Sequence, residues 1–145
     1  MESIRDIAVQ VIDTEANSIL GLKDILTDDF TKVVELILNS KGNVIVSGIG
    51  KSANIAQKIV ATLNSTGTTA VFMHAADAIH GDLGIIRDDD IVVIISKSGE
   101  TPEIKVLTPL IKIRKNKLVA IVGNTKSFLA SEADYVLDTT VPHEA

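Results

Sequence analysis

Hydrophobic positions change their spacing partway along the chain. Over residues 1–40, apolar side chains recur every three or four positions, as they do on one face of an amphipathic helix. This spacing predicts two helices, the second capped by Asp28 or Asp29. Beyond residue 41, short β-branched runs alternate with helical patterns, which is typical of parallel strands joined by helices. The apolar positions of the first helix are Ile4, Ile7, Ala8, Val11, Ile12, Ala16, Ile19 and Leu20.

The second part of the chain predicts an α/β fold. Strands are expected at residues 43–47, 69–73, 91–96, 118–122 and 135–138. Helices are expected at residues 51–64, 102–115 and 127–133, with a short irregular helix after the second strand. We therefore predict one domain of three α-β-α layers around a five-stranded, mostly parallel sheet. Ligands of such folds bind at the carboxyl ends of the strands, near the point where the strand order reverses.

The sequence predicts different structures for the two ends of the chain. Residues 1–40 form a helical extension to an α/β core of residues 41–145. Residues 141–145 have the character of a loop that leaves the fifth strand. Because a domain of this kind usually closes with a helix, we expect the natural protein to continue past Ala145.

Composition and charge argue against several classes of function. The 145 residues are 46% hydrophobic but contain no uninterrupted apolar run of membrane-spanning length, so no membrane partner is expected. The net charge is −5 and aromatic residues make up 3%, which argues against nucleic-acid binding. Cysteine is absent, which excludes disulfides and thiolate chemistry. The acidic N-terminus lacks a secretory apolar segment, and we expect a cytoplasmic protein.

The segment after the third strand carries the most informative chemistry. Ser96, Ser98 and Thr101 follow a buried β-branched run, and Pro102 then opens a helix with Thr101 in the N-cap position. Free backbone N–H groups and the positive end of the helix dipole meet at such a turn, which favours an anion. A simple capped turn is the plainer interpretation. The three hydroxyls and one glycine favour the phosphate of a small molecule.

A second turn, Gly48-Ile49-Gly50-Lys51-Ser52, follows the first strand. It is not a nucleotide P-loop, because the glycine required five positions before Gly50 is replaced by Ile45. It is not a dinucleotide fingerprint either, since alanine stands in place of the third glycine. The turn places Lys51 and Ser52 at the ligand edge of the sheet. A lysine in the first turn opposes the helix dipole, which favours a functional role over that of a solvated surface residue.

Three further side chains could carry chemistry. Glu103 falls in the first turn of the helix after the hydroxyl-rich segment, where the dipole alone would favour a carboxylate. Beside a bound phosphate the same carboxylate could move protons. His74 and His80 are six positions apart and do not share a helix face, so a metal-binding helix is not indicated.

Taken together, the sequence resembles the sugar isomerase (SIS) domain family. The segment Ser96-Lys97-Ser98-Gly99-Glu100-Thr101 is similar to its Ser-x-Ser-Gly-x-Thr signature. The segments Gly48–Ser52 and His80-Gly81-Asp82-Leu83-Gly84 resemble its arabinose-5-phosphate isomerases, which serve the 3-deoxy-manno-octulosonate and lipopolysaccharide pathway. The resemblance covers nearly all of the chain. It implies a flavodoxin-like fold and interconversion of arabinose 5-phosphate and ribulose 5-phosphate through an enediol.

The resemblance also implies roles for individual residues. It assigns catalysis to Lys51, Glu103 and Glu144, and it places the substrate's phosphate on Ser96, Ser98 and Thr101. Further substrate contacts are expected from Gly48, Gly50, Ser52, Gly67, Thr68 and His80. No cofactor is required, although His74 matches a position associated with zinc in some members. The resemblance further implies a homotetramer, a histidine beyond Glu144, and in many members a regulatory pair of cystathionine-β-synthase domains.

Two other functions remain open at this stage. A non-catalytic SIS domain that senses a sugar phosphate would need the three phosphate-binding hydroxyls but not the catalytic set. A related isomerase could act on a hexulose or heptulose phosphate. The joint presence of Lys51, Glu103 and Glu144 favours an enzyme over the sensor, and a panel of substrates would decide between the two kinds of isomerase.

Overall fold

The structure, a computed structural model, describes residues 3–143. It confirms the two predicted N-terminal helices, and the strands and helices predicted after residue 41 have ends that differ by no more than one residue. The N-terminal helices are α1 (Ile4–Ile25) and α2 (Asp28–Asn39). The elements that follow are β1 (Val44–Gly48), α3 (Lys51–Ser65), β2 (Ala70–His74), α4 (Ala75–Ala78), a 3₁₀ turn (Asp82–Ile85), β3 (Ile91–Ser96), α5 (Pro102–Arg114), β4 (Lys117–Val122), α6 (Phe128–Glu132) and β5 (Tyr135–Asp138).

The five strands form one sheet in the order β2-β1-β3-β4-β5. Each neighbouring pair is parallel, with Ser47 of β1 opposite Ile94 of β3. The chain runs outward from β1 to β2 and then returns past β1 to β3, so the strand order reverses between β1 and β3. The turns that follow these two strands therefore lie side by side, on strands about 4.8 Å apart.

Helices cover both faces of the sheet, which explains why the central strands are buried along their whole length. Every residue of β1 and of β3 is buried. Ile94 belongs to the cluster that packs under α5 and α6, whereas Val93 and Ile95 belong to the cluster that packs under α2 and α3. Alternate side chains of one strand thus enter different layers of core, as burial on both faces of a parallel sheet requires.

The predicted cap of α2 is wrong. Thr27 occupies the N-cap position, and both candidate aspartates lie within the first helical turn. Asp29 has another partner, since its Oδ2 accepts a hydrogen bond of 3.0 Å from the backbone N–H of Val136 in β5. The carboxylate instead joins α2 to the edge of the sheet.

Helix α1 is long but contributes no buried residue to this chain. Its start is well formed, because Ser3 and Asp6 make a reciprocal capping box. The apolar stripe predicted from its sequence is present and faces outward. Within residues 3–143, none of the helices combines the length and the apolar content needed to cross a bilayer.

Candidate functional site

The turn after β1 depends on its two glycines for different reasons. A Cβ on Gly48 would lie 2.9 Å from the carbonyl atoms of Ser52, so any side chain there would push α3 away from the strand. Gly50 adopts φ +57° and ψ −129°, a conformation that side chains disfavour. Together they let α3 begin directly at the edge of the sheet. Lys51, its first residue, is exposed and makes no ion pair with any residue that the structure describes.

The turn after β3 is shaped by its own hydroxyls. The Oγ of the buried Ser96 accepts the N–H of Gly99 at 3.1 Å, and the Oγ of Ser98 accepts the N–H of Glu100 at 3.2 Å. Each hydroxyl is an acceptor in these bonds and keeps its own proton for a ligand. Thr101 occupies the predicted N-cap position, but its side chain makes no capping bond. Its hydroxyl is therefore available as well.

The two turns meet around one cleft. The cleft has a volume of about 390 Å³ and lies where the strand order reverses. Helices α3 and α5 both begin there, so two sets of free N–H groups and two positive dipole ends face the same space. Its lining residues are Ile49, Ser52, Ser96, Lys97, Ser98, Thr101, Gly123 and Asn124. Such a site is suited to an anion with several acceptor oxygens, and a phosphate fits that description.

Two of the predicted catalytic residues belong to the helices that begin at this cleft, although neither is among its lining residues. Lys51 lies in the first turn of α3, and the half-buried Glu103 lies in the first turn of α5. Among the described residues, Glu103 has no hydrogen-bond partner for its carboxylate. Both side chains are thus free to interact with a substrate. Glu144, the third predicted catalytic residue, lies outside the described residues.

The histidines lie at the same edge of the sheet but do not form a metal site. His74 ends β2, and its Nδ1 is buried without a hydrogen bond, 3.8 Å from Oδ2 of Asp77. Zinc in proteins takes three or four ligands. Residues 3–143 bring together no three His, Cys, Asp or Glu side chains for that purpose. The residues that the structure describes therefore do not fit zinc.

Three predicted substrate contacts remain apart from the cleft in this chain. His80 is exposed in the turn after α4. Gly67 and Thr68 lie between α3 and β2, at the amino ends of the strands and hence at the opposite edge of the sheet. A larger cleft of about 610 Å³ also opens at that opposite edge. It is lined by lysines and acidic residues in similar number, so its charge favours no class of ligand.

The turn after β4 supplies a wall of the site that was not predicted. The N–H of Gly123 donates to the carbonyl of Lys97 at 3.0 Å, and Asn124 lines the cleft. A signal was present in the sequence, because residues after any parallel strand lie at the ligand edge. The pairing of this turn with Lys97 had no such signal, since it links residues far apart in the chain.

Comparison with known proteins agrees with the geometry. The profile of the SIS domain family matches residues 36–145. A Haemophilus influenzae protein named "Probable arabinose 5-phosphate isomerase" is 47% identical over 138 residues, which are 95% of this chain and 41% of that protein. The arabinose 5-phosphate isomerase KdsD of Pseudomonas aeruginosa is 46% identical, with 95% of this chain and 42% of that protein covered. The chain thus spans about two fifths of the length of these curated relatives.

A solved structure is similar over the whole of this chain. It is a protein of Escherichia coli CFT073 in complex with arabinose 5-phosphate. It superimposes with a TM-score of 0.85 at 33% sequence identity, covering 99% of this chain and 78% of that one. Sequence and backbone therefore agree on one family.

Proposed function

The chain belongs to the SIS domain family, and from that premise we propose that the protein is an isomerase that interconverts D-arabinose 5-phosphate and D-ribulose 5-phosphate. The observation that carries this proposal is the convergence of α3 and α5 on a hydroxyl-lined cleft where the strand order reverses. The similarity to arabinose 5-phosphate isomerases supports the choice of substrate. So does the similarity to a structure that holds arabinose 5-phosphate.

The phosphate is the part of the substrate that anchors it. Ser96, Ser98 and Thr101 donate their hydroxyl protons to its oxygens, together with the free N–H groups of α5. A helix dipole contributes only about 0.3–1 kcal/mol per charge. Millimolar affinity already requires about 4 kcal/mol. The hydroxyl and N–H donors therefore supply most of the binding energy, since a hydrogen bond to a charged group is worth about 1.5–3 kcal/mol.

The reaction moves two protons and needs no external electron carrier. A base removes the proton from C2 of the aldose, the C1–C2 double bond forms, and the C1 carbonyl becomes an oxyanion that is protonated to the enediol. The proton on O2 then leaves, the C2 carbonyl forms, and C1 takes up a proton to give the ketose. We assign the base to Glu103 and stabilisation of the oxyanion to Lys51. Glu144 is the remaining candidate for transfer between the two oxygens.

Replacement of Glu103 tests this mechanism. Glu103→Gln keeps the size of the side chain but removes the base, so turnover of arabinose 5-phosphate should fall about 10²–10⁴-fold. The assay is the formation of ketose by the purified protein. Glu132→Gln is the matched control, because Glu132 is another half-buried glutamate but is the last residue of α6, whereas Glu103 lies in the first turn of α5. Near-normal turnover of Glu103→Gln would remove Glu103 from the mechanism.

A substrate panel separates this function from its alternatives. The proposal expects turnover of arabinose 5-phosphate to exceed that of hexulose and heptulose phosphates. Tight binding of sugar phosphates without turnover of any of them would instead indicate a sensor. Turnover confined to a longer sugar would keep the reaction class and change the substrate.

We further propose that the protein assembles as a homotetramer and that α1 forms part of the contact between copies. Support comes from the outward-facing apolar stripe of α1, which no residue of its own chain buries. In such an assembly, the edge of the sheet that carries Gly67 and Thr68 would face the cleft of a neighbouring copy. These two residues would then contact the substrate bound to that copy.

A further inference from the structure

Glu100 stands inside the phosphate loop, residues 96–101, without lining the cleft. Its carboxylate is held at both oxygens. Oε1 accepts the backbone N–H of Phe128, the first residue of α6, at 2.6 Å, and Oε2 lies 2.6 Å from Nζ of Lys105 in α5. Because the two contacts point to different elements, they fix the carboxylate in position and direction.

The rest of the loop's outer side is attached to the same helix. The carbonyl of Gly99 accepts the N–H of Leu129 at 3.1 Å. A Cβ on Gly99 would lie 2.0 Å from Oγ of the buried Ser127, so the loop backbone lies directly on that side chain. The next N–H of α6, that of Ala130, is taken by Ser127 itself. The start of α6 is therefore occupied by the loop and its own cap.

The position of Glu100 determines where the ligand-binding groups lie. The backbone N–H of Glu100 donates a hydrogen bond to Oγ of Ser98. The next residue, Thr101, lines the cleft at the start of α5. A free carboxylate this close to a phosphate would repel it, but the ammonium of Lys105 neutralises the charge. An exposed ion pair of this kind contributes little to stability. The bond from the N–H of Phe128 to Glu100 is the side-chain contact that attaches the loop to α6, beside the backbone bond between Leu129 and Gly99.

We propose that Glu100 is a positioning residue of the isomerase: its carboxylate fixes the phosphate loop to α6 and so presents the hydroxyls of Ser98 and Thr101 to the substrate's phosphate. The inference rests on the proposed function for the identity of the substrate. It adds a residue that holds the phosphate site in shape without contacting the ligand. The role belongs to binding, so the Michaelis constant and not turnover should report it.

Three substitutions of Glu100 test the role. Glu100→Ala removes both contacts, and Glu100→Asp keeps the charge but shortens the side chain by one methylene, so that it no longer reaches Phe128. Both should raise KM for arabinose 5-phosphate about tenfold or more, with kcat within about twofold of wild type. Glu100→Gln keeps an acceptor for the N–H of Phe128, so its KM should stay much closer to that of wild type than the KM of the other two variants.

Calorimetric titration with inorganic phosphate separates this inference from the proposed function. Weaker phosphate binding by Glu100→Asp than by wild type supports the inference even if neither protein isomerises a sugar. Wild-type phosphate affinity and KM in folded Glu100→Asp overturn it, whatever the activity of the protein. The milder aspartate variant decides the matter if the alanine variant loses its circular dichroism spectrum.

Discussion

At the scale of single residues, the three hydroxyl groups of the phosphate loop have different structural roles. The Oγ atoms of Ser96 and Ser98 each accept a backbone N–H of the loop, so they shape it as well as face the ligand. The hydroxyl of Thr101 stands in the N-cap position yet makes no capping bond. Removal of a serine hydroxyl would alter both the loop and its ligand contacts. Removal of the threonine hydroxyl affects the ligand alone.

Thr101→Val is therefore the cleanest test of phosphate binding. Valine has nearly the volume of threonine but cannot donate, so KM for the sugar phosphate should rise about tenfold to a hundredfold. The free energy of unfolding should change by no more than about 0.5 kcal/mol, because no intramolecular bond is lost. Steady-state kinetics and denaturant unfolding give the two values. Thr31→Val, an exposed position of α2, is the control. An unchanged KM would mean that Thr101 does not contact the phosphate.

At the scale of elements, two carboxylates hold the edge of the sheet. Strand β5 has four residues, none of them fully buried. Asp134, just before it, accepts the N–H of Leu118 at 2.9 Å through Oδ2 and lies 3.3 Å from Nζ of Lys117. Asp29 of α2 accepts the N–H of Val136 from the other side. Since β5 buries little surface, these bonds to its flanking backbone matter more than they would in a central strand.

The bonds of Asp134 predict a dependence of stability on pH. Partial burial raises the pKa of its carboxyl, but the N–H of Leu118 and the ammonium of Lys117 outweigh it and hold the pKa below the ordinary value. A pKa that is lower in the folded state contributes stability above the unfolded value, near pH 4, and that contribution is lost as pH falls through the folded value. Asp134→Asn should lower the free energy of unfolding by about 1 kcal/mol at pH 7.

Urea unfolding at pH 7 and at pH 3 measures this contribution. The difference between wild type and Asp134→Asn should shrink at the lower pH, where the wild-type carboxylate is becoming protonated. Asp13→Asn, on the exposed side of α1, should show no such difference at either pH. A gap between wild type and Asp134→Asn that stays constant from pH 7 to pH 3 would show that the charge of Asp134 contributes nothing.

At the scale of the whole molecule, α1 is the feature that one copy of the chain does not explain. It has 22 residues and none is buried. Ile4, Ile12 and Ile19 are 89%, 64% and 67% exposed. Helices gain most of their stability from packing of an apolar face, and exposed apolar patches of this kind commonly mark interaction sites. In the proposed assembly, a second copy of the chain covers this apolar face of α1.

Charges on the α1 stripe should break that assembly. The double variant Ile12→Lys, Ile19→Lys should reduce the molar mass measured by light scattering from that of a tetramer, because it places like charges within the contact. Isomerase activity should fall with it if neighbouring copies complete the site. Asn17→Lys, on the polar side of α1, is the control and should keep the wild-type mass. An unchanged mass in the double variant would exclude α1 from the contact.

Local chemistry accounts for most of what was predicted correctly. The β-branched run at 91–96, the glycines around Ile49 and the Thr101-Pro102 pair each specify their backbone through neighbours only a few positions away. The strands and helices after residue 41 therefore begin and end within one residue of their predicted bounds. The hydroxyl-rich loop was identified for the same reason, since its chemistry is contained in six consecutive residues.

Contacts between distant parts of the chain could not be predicted from the sequence and became visible only in the tertiary structure. Alternation of strands and helices is compatible with several strand orders, and the turns after β1 and β3 lie side by side because these two strands are neighbours in the observed order. Asp29 was mistaken for a cap because its partner, Val136, is 107 residues away. Glu100 gave no sign of its bond to Phe128, which is 28 residues away. Backbone preference is decided by near neighbours, whereas the meeting of two loops depends on how the whole sheet pairs, and no short stretch of residues encodes that pairing.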